Sequence, residues 1–160
     1  MLTLSLGINM SKPFIFIDTE FNGSEHDGFS GELLSMALVD KFNEFYEVLC
    51  LPEYIVDPWV EENVIPAFNK EPIVWTLFTL KLQEFLSKRF YPNGFIIIAD
   101  WPDDIKHFCE ALITSPGYMI DVASFECRVI REINSNGSRI PHNALEDAKA
   151  IRDSWLGLIL

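Results

Sequence analysis

The chain has 160 residues, a formal net charge of −12 and a sequence pI of about 4.5. Its length and its 49% content of hydrophobic residues are enough for one domain with a sizeable core. So acidic a composition argues against a protein that coats nucleic acid regardless of sequence, although carboxylates that bind divalent cations can still accommodate a polyanion.

The first residues and the cysteines give information about the cellular location of the protein. We interpret residues 1–12 as a leader that need not be ordered, followed by a single domain over 13–160. The leader lacks the basic start of a signal peptide, and no apolar run reaches the roughly 20 residues of a membrane helix. Cys50, Cys109 and Cys127 lack the close spacing of a metal site, which favours buried, reduced thiols. We therefore expect a cytoplasmic protein with no membrane partner.

The first elements along the chain are predicted to be strands. Residues 13–18 (PFIFID) are apolar without alternation, which is typical of a strand buried on both faces. A glycine-rich polar loop follows at 22–31. The apolar runs at 32–39 and 45–51 flank a short polar segment and predict a hairpin.

Helices and strands then alternate. Pro58 opens a short helix over 58–68 that Pro66 disturbs. Further helices are expected over four segments: 73–90, 102–113, near 123–132, and 143–158. Strands are expected at 95–99 and 118–122. A hairpin followed by alternating strands and helices indicates an α/β domain with a mixed sheet.

Two carboxylates stand one residue apart where the first strand ends. Residues two apart on a strand point to the same side, so Asp18 and Glu20 project together. Ligands of α/β folds usually lie at such strand ends, and two like charges this close favour a shared divalent cation. The alternative is that Asp18 caps a turn while Glu20 is solvated.

The last predicted helix carries an acid on its apolar side. Asp147 shares the stripe of Ala144, Ala148 and Ile151, and a buried carboxylate requires a cation or a strong donor. A first-turn aspartate stabilised by the helix dipole is the alternative. His142 stands at the mouth of this helix, where it is a candidate proton acceptor or simply a capping or packing residue.

The segment ADWPDD, residues 99–104, contains three more acids at a strand end. Asp100 is the expected N-cap of the following helix, and Asp103 is favoured by the helix dipole. Asp104 lies one turn inside, beside the apolar stripe, where solvation does not explain it.

These segments resemble the three motifs of the DEDDh 3′→5′ exonucleases, which are D-x-E, N-x-x-x-D and H-x-A-x-x-D in that order. Here they read DTEF at 18–21, D-x-x-x-D at 100–104 and HNALED at 142–147, and the resemblance spans about 13–156. The segments ELLSMALVD and PWVEENVIP are similar to the small bacterial and phage exoribonuclease branch, which includes a mycobacterial-type group. Asp100 departs from the usual asparagine, so either Asp100 or Asp104 could be the second-motif ligand, and the spacing favours Asp104.

The resemblance implies a ribonuclease H-like fold, with a five-stranded mixed sheet flanked by helices. It implies that two Mg²⁺ or Mn²⁺ ions are held by four acids, with His142 as general base; the acids are Asp18, Glu20, Asp104 and Asp147. Thr19, Phe21 and Asp100 are candidate substrate contacts, Phe21 by stacking on the terminal base unless it is a core residue. A homodimer is also consistent with the resemblance.

The expected activity is a 3′→5′ exonuclease that acts on single-stranded 3′ ends and releases nucleoside monophosphates, with RNA favoured over DNA. A DNA proofreading or trimming nuclease is the alternative within the same chemistry. A non-catalytic nucleic-acid-binding module on the same fold and an acidic interaction protein are the alternatives from other classes.

Overall fold

The computed structural model describes residues 12–23, 31–51 and 56–159. Apart from Lys12, the predicted leader lies outside the described residues, as does most of the predicted loop at 22–31. Seven strands are formed within the described ranges: β1 Phe14–Phe21, β2 Leu33–Val39, β3 Glu44–Val48, β4 Phe95–Ala99, β5 Ile113–Ser115, β6 Tyr118–Met119 and β7 Phe125–Val129. Four α-helices accompany them there: α1 Pro58–Asn63, α2 Trp75–Phe85, α3 Pro102–Leu112 and α4 Ala144–Ile159.

The main sheet has five strands in the order β3-β2-β1-β4-β7. The hairpin strands β2 and β3 are antiparallel, and β2 is also antiparallel to β1. The pairs β1–β4 and β4–β7 are parallel, so the predicted α/β class and five-stranded mixed sheet are confirmed. As a result β1 and β4 lie in the interior of the sheet, and their carboxyl ends meet at the same edge.

Both faces of β1 are covered, as its unbroken apolar sequence predicts. On one face Ile15 and Ile17 join the largest core cluster, to which α2 and α3 also contribute. On the other face Phe16 packs with Ile151 of α4. Helix α4 also lies against β2 through the small buried side chain of Ala148. The strand end that carries Asp18 and Glu20 is therefore held between two helical layers.

Three predictions, two about later elements and one about the cysteines, are wrong. The helix expected near 123–132 is instead β7, which pairs in parallel with β4 over all five of its residues. The strand expected at 118–122 shrinks to β6, which pairs with β5 in a separate hairpin. The three cysteines are exposed rather than buried.

The remaining elements follow local signals. Helix α1 begins after Asp57, whose side chain accepts hydrogen bonds from two backbone N–H groups, and ends before the 3₁₀ turn Ile65–Ala67 that contains Pro66. Helices α2 and α3 are shorter than predicted, and α4 is shifted by one residue from its predicted span. Every described helix falls short, in length or in apolar character, of what crossing a bilayer requires.

Candidate metal centre

The end of β1 presents its side chains alternately to the two helical layers. Asp18 and Glu20 share the face of Phe16, towards α4, as their spacing predicts. The pairing of β1 with β2 shifts in register between Glu20 and Phe21. Irregularities of this kind often end a ladder next to a functional site, and this one lies directly beside the two acids.

Helix α3 brings Asp104 to the same strand end. Asp104 is 3% exposed, and its Oδ1 accepts hydrogen bonds from the Thr19 backbone N–H at 3.0 Å and from the Thr19 hydroxyl at 2.7 Å. Thr19 is itself buried between the two acids of β1. Thr19 therefore fixes one oxygen of Asp104; its predicted contact with substrate stays a prediction.

Asp100 is not the N-cap of α3, contrary to the prediction. The cap position is Trp101, whose side chain makes no capping hydrogen bond, and Pro102 opens the helix. Pro102 at the first helical position already has the backbone φ that a helix start requires, and the helix begins there without a side-chain cap. The carboxylate of Asp100 is left available to the cleft.

Helix α4 is started by Asn143, whose Oδ1 accepts the backbone N–H of Glu146 at 3.2 Å. Asn143 is fully buried and also donates to the carbonyl oxygen of Ala67 at 2.9 Å. This anchored cap sets the rotation of the first turn, so Asp147 faces the sheet and is 6% exposed. The predicted position of Asp147 on the buried stripe is confirmed.

His142 lies just before this cap in an unusual backbone conformation. Its φ is 65°, in the left-handed region, where histidine occurs more often than most residues with a side chain. Its backbone N–H donates to Oδ2 of Asp147 at 3.1 Å. Its ring makes a T-shaped contact with the ring of Trp59, with centroids 5.2 Å apart. Residues held in this way at φ above zero cluster at functional sites.

All five residues predicted to be catalytic line one cleft of about 520 Å³. The carboxylates of the cleft, with Asp100 among them, form two groups, each with ligand oxygens within 4.8 Å of one another. One group is Asp18, Glu20 and Asp147; the other is Asp18, Asp100 and Asp104. The structure thus brings both second-motif candidates, Asp100 and Asp104, to the site, and Asp18 belongs to both groups.

Burial and mutual repulsion raise the pKa values of these acids. Burial, followed by the charges of Asp104 and Glu20, raises the pKa of Asp18 well above its ordinary value. Burial and the charge of Asp147 raise the pKa of Glu20 to about 8. Burial raises the pKa of Asp104 to about 7, against the two hydrogen bonds from Thr19. Burial likewise raises the pKa of Asp147, although the Ser138 hydroxyl and then the backbone N–H of His142 oppose the rise.

Two buried oxygens of this cluster accept no hydrogen bond of normal geometry from the described residues. They are Oδ2 of Asp18 and Oδ1 of Asp147, although the Ser138 hydroxyl lies near enough to Asp147 to oppose the rise of its pKa. Buried polar atoms are rarely left unsatisfied, and the binding of an ion is one standard reason for such atoms. Both atoms belong to the Asp18, Glu20, Asp147 group, whose all-oxygen donors suit hard cations such as Mg²⁺ and Mn²⁺. The residues present therefore fit a divalent metal.

Other residues of the cleft include one predicted contact and several that the motifs do not point to. Phe21 lines the cleft and stacks on the buried ring of His107 at 5.2 Å, so its predicted stacking on a base stays a prediction. Trp101, Ser135 and Asn136 line the same cleft. The position of Trp101 next to Asp100 is a sequence signal for this residue. The exposure of its side chain, however, depends on the fold and cannot be read from the sequence.

No family model matches the chain, and no curated protein matches it significantly.

Proposed function

We propose that this protein is a metal-dependent 3′→5′ exonuclease of the DEDDh type with a ribonuclease H-like fold. The observation that carries the proposal is the convergence of Asp18, Glu20, Asp104, Asp147 and His142 in one cleft. A mixed five-stranded sheet flanked by helices is consistent with that fold. Carboxylates that were only solvated surface charge would be exposed, whereas Asp104 and Asp147 are buried.

The two carboxylate groups would hold two Mg²⁺ or Mn²⁺ ions, one in each group. When bound, such ions polarise a phosphodiester, acidify a water molecule and neutralise the developing negative charge. Their positive charge would also offset the burial and the mutual repulsion that raise the pKa values of these acids, so that all of them can ionise together. The protein's share of the work is to hold these oxygens rigidly.

His142 is the proposed general base, since an imidazole can take the proton of the attacking water near neutral pH. Its backbone hydrogen bond to Asp147 ties it to the Asp18, Glu20, Asp147 group, so it acts on that side of the cleft. Thr19 acts as a positioning residue through Asp104. The products are nucleoside 5′-monophosphates released from single-stranded 3′ ends, with RNA as the preferred substrate.

The proposal is tested by degradation of a 5′-labelled single strand in Mg²⁺ or Mn²⁺, with matched RNA and DNA strands in parallel. We expect a ladder that shortens from the 3′ end, faster for RNA, and no shortening by Asp18→Ala. Asp121→Ala is the control, because Asp121 is an exposed carboxylate outside the cleft and pairs with Lys88. Circular dichroism checks that each variant folds.

Equal degradation by the wild type and Asp18→Ala would refute the nuclease assignment, as would a wild type that degrades neither strand. Faster degradation of DNA would keep the mechanism and replace the RNA preference by the DNA alternative.

A further inference from the structure

The side chain of Trp101 lines the cleft that contains the clustered carboxylates, and it is held in place although half of it is exposed. Trp101 is 49% exposed and lines the cleft together with Asp18 and Asp104. Its Nε1–H donates to Oδ2 of Asp103 at 2.8 Å. The guanidinium carbon of Arg131 lies 4.4 Å from the ring centroid, and Arg131 also donates to the backbone carbonyl oxygen of Asp100.

This arrangement suits a ligand with a flat aromatic face. A large aromatic side chain left in water contributes little to the core, but Trp101 is restrained by Asp103 on its edge and by Arg131. A restrained ring loses little conformational entropy when a ligand binds to it. Nucleobases stack on such rings with little regard to sequence, and a nearby arginine strengthens the contact.

The position of Trp101 indicates which nucleotide it would meet. His142 is tied to Asp147, whereas Trp101 is adjacent to Asp100, and the two carboxylate groups share only Asp18. In an in-line displacement the attacking water and the leaving oxygen lie on opposite sides of the phosphorus. If His142 activates the water, the leaving 3′ oxygen and the nucleotide that carries it lie towards Trp101.

We propose that Trp101, held by Arg131, is the stacking platform for the base of the penultimate nucleotide, the one that keeps the new 3′ hydroxyl after cleavage. This inference rests on the proposed function and narrows its substrate. The strand must have at least two nucleotides and an unpaired penultimate base, because a paired base would have to leave its duplex before it could stack on Trp101.

The test is a double-mutant cycle on binding, with Ca²⁺ in place of Mg²⁺ to slow hydrolysis. A 5′-fluorescent single strand is compared with strands that lack the base at the terminal, penultimate or third position. In the wild type, loss of the penultimate base should weaken binding by about 5- to 150-fold. Trp101→Ala should weaken binding of the intact strand to a similar extent and make the penultimate base immaterial, while Trp101→Phe keeps most of the affinity.

Phe42→Ala is the matched control, because Phe42 is an exposed aromatic residue on the β2–β3 turn, outside the cleft, and its loss should not change binding. The inference is overturned if Trp101→Ala binds the intact strand as the wild type does. It is also overturned if the variant remains as sensitive to the penultimate base, since Trp101 would then have only a structural role.

A separate substrate distinguishes failure of this inference from failure of the proposed function. The p-nitrophenyl ester of thymidine 5′-monophosphate offers a phosphodiester without an upstream base, so its hydrolysis by the wild type tests the chemistry alone. No hydrolysis of either the ester or the strand would overturn the proposed function. The binding cycle would still decide the role of Trp101.

Discussion

At the scale of single residues, His142 combines a left-handed backbone with a hydrogen bond from its N–H to Asp147. The backbone contact orients the acid, while the imidazole remains beside Trp59 at the cleft. The observed backbone contact with the carboxylate and the proposed proton transfer by the imidazole can therefore be separated. A substitution that keeps the backbone and removes the imidazole can tell them apart.

His142→Asn is that substitution, because asparagine tolerates positive φ but cannot act as a general base. We expect a fall in turnover of about 10²- to 10⁴-fold, with Mn²⁺ affinity close to that of the wild type. His142→Ala should show the same loss of turnover and, in addition, some loss of stability at this φ. Steady-state rates and calorimetry provide the two readouts. A parallel loss of Mn²⁺ affinity in His142→Asn would make His142 a structural residue instead.

At the scale of elements, the hairpin of β2 and β3 is held by a carboxylate in its turn. Asp40 accepts backbone hydrogen bonds from Phe42 and Asn43, each at 2.6 Å, and one from the Tyr91 hydroxyl at 2.7 Å. Burial alone would raise the pKa of Asp40, but the hydrogen bonds, that of Tyr91 foremost, lower it below its ordinary value. The turn is thereby joined to the segment that precedes β4.

Tyr91→Phe removes one of these donors and should lower the free energy of unfolding by about 1.5–3 kcal/mol at pH 7. Because the folded-state pKa of Asp40 is lowered, its contribution is fully present above the ordinary aspartate value near 4 and is lost as the pH falls through the folded-state pKa. The difference between wild type and variant should therefore shrink progressively as the pH falls below the ordinary aspartate value, as urea unfolding can measure. Tyr118→Phe, at an exposed tyrosine, is the control. A difference that does not change with pH would contradict this role of Asp40.

Elements with a long, strongly periodic sequence pattern could be predicted, whereas short elements with an ambiguous pattern could not. The buried strand β1, the hairpin and the stripe of α4 follow from patterns long enough to exclude alternatives. The edge strand β7 has only five residues, and its sequence fits a helical stripe about as well, so only its pairing beside β4 decides. Likewise Pro102, not Asp100, determines how α3 begins.

At the scale of the whole molecule, the motifs predicted which acids would lie together. They did not predict how these acids are grouped or which of their oxygens accept hydrogen bonds. The two groups that share Asp18 and the unpartnered oxygens of Asp18 and Asp147 depend on distances between β1, α3 and α4, which a sequence does not contain. The same holds for Trp101, whose exposure depends on what packs around it. With a net charge of −12, a polyanionic substrate makes sense only if these acids hold cations.

Calorimetric titration with Mn²⁺ can decide whether these carboxylates, which are distant in sequence, jointly bind a hard cation. The variant is Asp147→Asn, which preserves the shape of the side chain, and Asp121→Asn serves as the control for an exposed acid. We expect saturable binding by the wild type and by Asp121→Asn, with most of that binding lost in Asp147→Asn. Only weak, unsaturable binding by the wild type, or undiminished binding by Asp147→Asn, would contradict it.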